Sequence, residues 1–131
     1  MKMTPQELIS ELKNGKKKKI ILDTDAYNEV DDQYAIAYSM LSPDRVEILS
    51  INAAPFLNKR STSAGDGMEK SYNEIFRITA LTDPEKAKDI PVYRGSDRFL
   101  PSKSEYVSSP ACDNIIRTVM SSDETVWIVA I

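Results

Sequence analysis

The chain has 131 residues, with 17 basic and 20 acidic side chains and a net charge of -3. This balance argues against nucleic acid as the main partner, because phosphate binding needs a basic face. The chain contains no histidine and a single cysteine, Cys112, which excludes Ser-His and Cys-His catalysis and an internal disulfide. Any catalysis must therefore use carboxylates, and Cys112 is expected to be a buried or half-buried thiol.

The first half of the chain has the pattern of a strand-helix-strand unit. Thr4 to Glu7 is a capping-box pattern that begins a short helix, and Asn14-Gly15 ends it. Parallel pairing through a right-handed crossover is expected for the two strands that follow. The predicted elements are a helix over 4–14, a strand over 19–22, a helix over 35–41 and a strand over 46–51.

The second half continues this alternation. The predicted elements are a loop over 54–67, a helix over 68–81, a strand over 91–93, an irregular stretch over 95–110, a helix over 112–120 and a strand over 126–131. The alternation predicts an α/β fold with a mainly parallel, Rossmann-like sheet and helices on both faces, in a single domain over residues 1–131. Because the last apolar run is typical of a central strand, we expect the chain to be the N-terminal part of a larger fold.

The basic block and the N-terminus carry less information. The four lysines at 16–19 are interpreted as a solvated segment that keeps the edge of the next strand soluble, rather than as a binding patch. The N-terminus has no apolar signal-peptide region and no segment has the length of a membrane span, so the cytoplasm is the expected compartment and no membrane partner is expected.

Five acidic side chains follow the first predicted strand within ten residues. Carboxylates at this density repel one another unless a cation neutralises them, and a hard cation such as Ca²⁺ or Mg²⁺ takes its ligands from such oxygens. The alternative is a solvated acidic turn in which Asp31 or Asp32 caps the next helix. That alternative does not explain why acids also stand at the end of the strand. The five are Asp23, Asp25, Glu29, Asp31 and Asp32.

Three segments carry a family resemblance. Asp-Thr-Asp at 23–25, followed by Val-Asp-Asp-Gln-Tyr-Ala-Ile-Ala at 30–37, resembles the N-terminal signature of inosine-uridine-preferring nucleoside hydrolases. Pro-Val-Tyr-Arg-Gly at 91–95 is similar to a short segment of that family, and 125–131 is similar to the strand that precedes its metal-binding loop. The resemblance spans most of the chain, and the acidic signature is its most specific part.

The resemblance implies a hydrolase that cleaves the N-glycosidic bond of a ribonucleoside, in purine or pyrimidine salvage, with one bound Ca²⁺. It implies that Asp25 is a metal ligand and the general base, that Asp31 binds a ribose hydroxyl and that Asp32 binds the Ca²⁺. Asp23 is expected to support the cluster or the metal. A small nucleoside is then the implied partner, and a homo-oligomer is left open.

The chain departs from the family pattern in two places. Residues 26–29 replace the usual Pro-Gly turn, and Asn28 is expected to supply a left-handed backbone position. Asn52 and Asn58 are both candidates for a substrate-binding asparagine, and the sequence does not choose between them. The family's remaining metal ligands are expected beyond Ile131, so we expect these residues alone to bind Ca²⁺ weakly and to cleave no nucleoside.

Two other functions stay open. A haloacid-dehalogenase-like Mg²⁺ phosphohydrolase would use Asp23 as nucleophile and Asp25 as acid and base, but it gives no role to Asp31 and Asp32. A non-catalytic relative would keep the Ca²⁺ or sugar site without turnover. An EF-hand loop is rejected, because Asn28 and Tyr34 stand where that loop needs Gly and Glu. The specificity for the base and the leaving-group acid are not encoded in these motifs.

Overall fold

The structure is a computed structural model that describes residues 3–131. The described residues form one four-stranded sheet in the order β3-β2-β1-β4, and every strand pair is parallel. The predicted α/β fold with a parallel, Rossmann-like sheet flanked by helices is confirmed. The elements are α1 Pro5–Lys13, β1 Lys18–Thr24, α2 Val30–Met40, β2 Val46–Ala53, α3 Ala64–Thr82, α4 Pro84–Ala87, β3 Val92–Arg94, α5 Pro110–Ser121 and β4 Val126–Ala130.

The core lies on one face of the sheet. Leu22 of β1 and Ile51 of β2 are register partners, and they are buried together with Ile36 of α2 and Ile75 of α3. Successive residues of a strand point to opposite faces, so Ser50 faces the other side. There Asn114 Nδ2 of α5 donates to Ser50 Oγ at 2.8 Å. Helices therefore cover both faces of the central strands.

The last strand lies at the edge of the sheet that residues 3–131 form. β4 pairs with β1 and ends the sheet, and its Ile128 side chain is 50% exposed. The expected central position belongs to a larger fold, which the sheet of residues 3–131 does not test, so it stays a prediction. Pairing order depends on long-range contacts that strand composition does not encode.

The helix boundaries also differ from the predicted ones. α2 begins at Val30 and α3 at Ala64, so each helix is longer than its apolar rhythm indicates. Ser63 caps α3 by accepting a hydrogen bond from the Asp66 backbone. Glycines at 65 and 67 look like loop residues in the sequence, but they lie inside the first turns of this helix. The short helix α4 was not predicted.

Gly67 marks a close approach between α3 and the loop after β2. A Cβ atom at this position would overlap the carbonyl oxygen of Phe56. We predict that Gly67→Ala lowers the free energy of unfolding by about 1–3 kcal/mol, the usual cost of overpacking. Urea unfolding monitored by circular dichroism measures this change. Helix propensity alone predicts a gain of up to about 1 kcal/mol, so equal or higher stability would show that the loop yields.

The four lysines lie at the amino end of β1. Lys16 and Lys17 are exposed, as expected of a solvated segment. Because β1 is an inner strand, the lysines do not protect a sheet edge, and that part of the interpretation was wrong. Lys18 Nζ donates to Asn14 Oδ1 at 2.6 Å, and Lys19 Nζ pairs with Glu124 Oε2 at 2.6 Å. Cys112 is half-buried, as expected. Within residues 3–131 no helix is both long and apolar enough to cross a membrane.

Candidate functional site

The candidate site lies where β1 ends and α2 begins. β1 ends at Thr24, residues 25–29 form the turn, and Glu29 is the N-cap of α2 without a side-chain capping bond. Asp31 and Asp32 lie inside the first turn of the helix, so neither is the helix cap that the alternative of a solvated acidic turn requires. Carboxylates in this turn are favoured by the partial positive charge of the helix N-terminus.

The turn and the helix enclose an acidic cleft of about 520 Å³. Four carboxylates line it, and in the described part of the chain none of them forms an ion pair with a lysine or arginine. Uncompensated negative charge in a cleft raises the local concentration of cations. The lining residues are Asp25, Asn28, Glu29, Asp31, Asp32, Ala35 and Ile131.

Asp32 is the most buried of the four carboxylates, with 5% of its surface exposed. The Thr24 hydroxyl donates a hydrogen bond to Asp32 Oδ1, and Thr24 itself is fully buried. Thr24 shares a strand face with Leu22 and therefore points toward α2. This contact joins the end of β1 to the first turn of α2 and fixes the Asp32 carboxylate at the cleft.

Asp25 begins the turn and is held by Asn28. Asn28 Nδ2 donates to Asp25 Oδ2 at 3.0 Å, and the Asn28 backbone N–H donates to the Asp25 carbonyl at 2.6 Å. Burial raises the pKa of Asp25; the Asn28 hydrogen bond lowers it, and the charges of Asp32 and Glu29 raise it again. The net raised pKa makes this carboxylate a stronger proton acceptor than an exposed aspartate.

Contacts from the loop after β2 hold this turn. Arg60 Nη1 donates to the Asn28 carbonyl at 2.6 Å, and Asn58 Nδ2 donates to Asn28 Oδ1 at 2.6 Å. The Tyr27 ring stacks on Phe56 with centroids 6.5 Å apart. The expected left-handed position at Asn28 is wrong, because no non-glycine residue in the described range has a positive φ. Side-chain contacts, rather than backbone strain, determine the shape of the turn.

Two predicted residues lie beside each other but do not line the cleft. Asp23 and Asn52 are register partners on β1 and β2. Asn52 is fully buried, and its Oδ1 and Nδ2 have no hydrogen-bond partner among the described residues. Burial alone raises the pKa of the half-buried Asp23. Unsatisfied buried polar groups lower the stability of the fold, so Asp23 and Asn52 are a destabilising polar pair at the carboxyl edge of the sheet.

The chemistry of the cleft suits a hard cation in the type of ligand, but not in the number of ligands. The donors are oxygens, without histidine or cysteine, which is the set that Ca²⁺ prefers. However, among residues 3–131 no three Asp, Glu, His or Cys side chains are grouped so as to hold one metal ion. Ca²⁺ takes six to eight oxygens, so most ligands would have to come from carbonyls, water or substrate.

The fold and the cleft define an α/β protein with an acidic site at the carboxyl edge of a parallel sheet, where ligands of open α/β sheets bind. Comparison with protein families, with curated proteins and with solved structures finds no match. Any functional assignment therefore depends on the acidic motif and on the geometry of the cleft.

Sequence reasoning did not assign a role to three residues that shape the site. Thr24 holds Asp32, Glu29 lines the cleft, and Arg60 holds the turn through the Asn28 carbonyl. Thr24 could have been found, because its period-2 spacing from Ile20 and Leu22 places it on the core face. Arg60 could not, since its contact spans 32 positions of the chain.

The raised pKa of Asp23 leads to a pH-dependent prediction. The ordinary pKa of this carboxyl group is 3.8, and burial raises the pKa in the folded state. The folded state therefore binds the carboxyl proton more tightly than the unfolded state does. The contribution of protonated Asp23 to the free energy of unfolding is fully present below pH 3.8. It is lost as the pH rises through the higher pKa of the folded state. Without metal, Asp23→Asn should raise the melting temperature by about 2–5 °C near pH 7 and leave it unchanged near pH 3.

Thermal melts of the wild type and the variant at the two pH values measure this difference. Asp44→Asn is a matched control, because Asp44 is exposed and pairs with Arg45 at 3.3 Å on the surface. Such pairs contribute little, so this control should not move the melting temperature. A destabilised Asp23→Asn at neutral pH would contradict the prediction.

Proposed function

We propose that this chain carries the Ca²⁺ and ribose site of a nucleoside hydrolase, an enzyme that cleaves the N-glycosidic bond of ribonucleosides with water. The observation that carries the proposal is the unpaired acidic cleft, in which Asp25, Asp31 and Asp32 of the family-like signature lie together. The position of the cleft at the carboxyl edge of the sheet also supports it.

Each carboxylate has a proposed role. Asp25, which lines the cleft, is the proposed acceptor of the proton of the attacking water. Asp31, which is exposed at the cleft, accepts a hydrogen bond from a ribose hydroxyl. The negative charge of the cleft stabilises the positive charge that develops on the sugar as the bond to the base breaks.

Asp25 and Asp32 are the proposed ligands of Ca²⁺. When bound, the ion would lower the pKa of a water molecule and fix the sugar. Thr24 keeps the Asp32 carboxylate in place through its hydrogen bond, as partners behind metal ligands generally do. Asp23 is proposed to support the cluster from the neighbouring strand position, without lining the cleft.

The two asparagines have different positions with respect to this site. Asn58 is exposed and reaches the cleft through Asn28, so it is the better candidate for a substrate contact. Asn52 is enclosed by the fold in this conformation, and its unpartnered amide would meet a ligand only after the edge of the sheet opens. We propose Asn58 as the substrate-binding residue and keep Asn52 as the alternative.

The number of ligands limits what these residues do alone. Because no group of three metal-binding side chains is present in residues 3–131, we expect the 131-residue chain to bind Ca²⁺ weakly, with a Kd of about 10⁻⁴–10⁻³ M. We also expect no nucleoside turnover by this chain. The catalytic assay therefore needs the complete gene product, expressed from its own start codon to its own stop codon.

Two assays on the complete gene product test the proposed function. Reducing-sugar release is measured with purine and pyrimidine nucleosides in the presence of Ca²⁺, and phosphate release is measured with phosphate monoesters in the presence of Mg²⁺. Sugar release without phosphate release is the expected result. Phosphate release alone would instead favour the phosphohydrolase, with Asp23 as nucleophile. Binding of Ca²⁺ or ribose without either release would favour a non-catalytic relative.

A further inference from the structure

One side chain from the loop after β2 reaches the turn that carries Asp25. Arg60 Nη1 donates to the Asn28 carbonyl at 2.6 Å. Asn28 in turn donates twice to Asp25, from Nδ2 to Oδ2 at 3.0 Å and from the backbone N–H to the carbonyl at 2.6 Å. Arg60 is therefore separated from the proposed general base by a single residue, which bonds to both.

The Arg60 guanidinium bonds to a neutral carbonyl although Asn28 lines an acidic cleft. Within residues 3–131 Arg60 forms no ion pair. Arginine pairs strongly with carboxylates, and such a pair in the cleft would neutralise charge that attracts a cation. The carbonyl contact holds the turn without this loss, so the four carboxylates of the cleft stay available to a ligand.

The backbone of Arg60 is itself held on both sides. Its N–H donates to Asn58 Oδ1 at 2.9 Å, and its carbonyl accepts a hydrogen bond from Lys70 Nζ at 2.8 Å. Lys70 Nζ also donates to Asp66 Oδ2 at 2.8 Å, and both of these side chains belong to α3, which is 19 residues long. A long helix therefore gives the Arg60 side chain a rigid base from which to hold the turn.

We propose that Arg60 is a positioning residue, which keeps Asp25 in place while Asn58 binds the substrate. This inference rests on the proposed function, in which Asp25 is the base and Asn58 the substrate contact. Asn58 Nδ2 donates to Asn28 Oδ1 at 2.6 Å, and a substrate that binds the same amide competes with this bond. The Arg60 bond goes to the backbone carbonyl of Asn28 instead, so it continues to hold the turn when Asn58 turns away.

Steady-state kinetics of Arg60→Met in the complete gene product, at saturating Ca²⁺, tests the positioning role. Arg60 is exposed, so the substitution leaves the core intact, and the backbone bonds to Asn58 and Lys70 do not depend on its side chain. We expect kcat to fall about 10–100-fold, the usual cost of removing a partner behind a ligand or of misplacing a catalytic group. KM should stay nearly unchanged, because Arg60 does not contact the substrate.

Three further variants separate positioning from binding and from charge. Asn58→Ala should show the opposite split, a raised KM with kcat nearly unchanged, because it removes a contact made equally to substrate and transition state. Arg60→Lys keeps the positive charge and a donor, so it should recover part of the lost kcat. Lys59→Met is the matched control, because Lys59 is exposed beside Arg60 and its replacement removes the same charge. Its kinetics should match those of the wild type.

Circular dichroism confirms that every variant is folded, and the kinetic outcomes distinguish this inference from the proposed function. Unchanged kcat in Arg60→Met, with sugar release by the wild type, would overturn the positioning role and leave the nucleoside hydrolase standing. A loss of kcat that Lys59→Met shares would also overturn the positioning role, because the charge of the loop would then be the cause. A wild type that releases no sugar would overturn both.

Discussion

Asp25→Asn is expected to reduce sugar release by the complete gene product about 10²–10⁴-fold while leaving the fold intact. The substitution keeps the size of the side chain and removes the carboxylate that accepts the proton of water, and general-base catalysis typically contributes this factor. Asn28 can still bond to the new amide oxygen, so the turn is retained. Steady-state kinetics with a nucleoside that the wild type cleaves measures the loss.

The control for this experiment is Asp44→Asn, which makes the same chemical change away from the cleft. Asp44 lies in the turn before β2, at the opposite end of the strands from Asp25. Its kinetics should match those of the wild type. Full activity of Asp25→Asn, with unchanged circular dichroism, would remove Asp25 as the base.

Asp32→Asn is expected to weaken Ca²⁺ binding to the 131-residue chain at least about tenfold, because Ca²⁺ affinity depends strongly on the number of charged ligands. Asp32 is 5% exposed and anchored by Thr24, so no other carboxylate can move easily into its place. Isothermal titration calorimetry with CaCl₂ measures the change.

Thr24→Val separates the metal ligand from its support. This variant keeps the volume of the side chain and removes the hydroxyl that donates to Asp32. We expect a smaller loss of Ca²⁺ affinity than in Asp32→Asn, since the carboxylate remains but its position is no longer fixed. Equal affinity in the wild type and in Asp32→Asn would exclude Asp32 as a ligand.

The fold was largely predictable from the sequence, because its signals are local. The apolar run of β1 and the helical spacing around Ile36 and Ile75 depend on near neighbours in the chain. The place of β4 in the strand order was not predictable, because pairing order depends on long-range contacts that strand composition does not encode. The start of α3 was missed because Gly67 has the composition of a loop residue. Only the structure shows that this glycine lets α3 approach the backbone of Phe56 closely.

The candidate site was predictable in some of its residues but not in its connections. The density of acids after β1 indicates Asp25 and Asp32, because ligands of open α/β sheets bind at the carboxyl ends of the strands. The turn was mispredicted, since contacts from Asn58 and Arg60 replace the expected left-handed position at Asn28. Such contacts join segments about thirty residues apart, and a local sequence pattern does not encode them.

An NMR titration of the 131-residue chain with Ca²⁺, followed by ribose, tests the central claim most directly. The account predicts amide shifts that are concentrated in residues 23–32 and that saturate in the millimolar range. Ribose should strengthen Ca²⁺ binding, since two ligands that share a site are coupled reciprocally. Shifts that leave residues 23–32 unchanged, or that are the same in Asp32→Asn, would contradict the account.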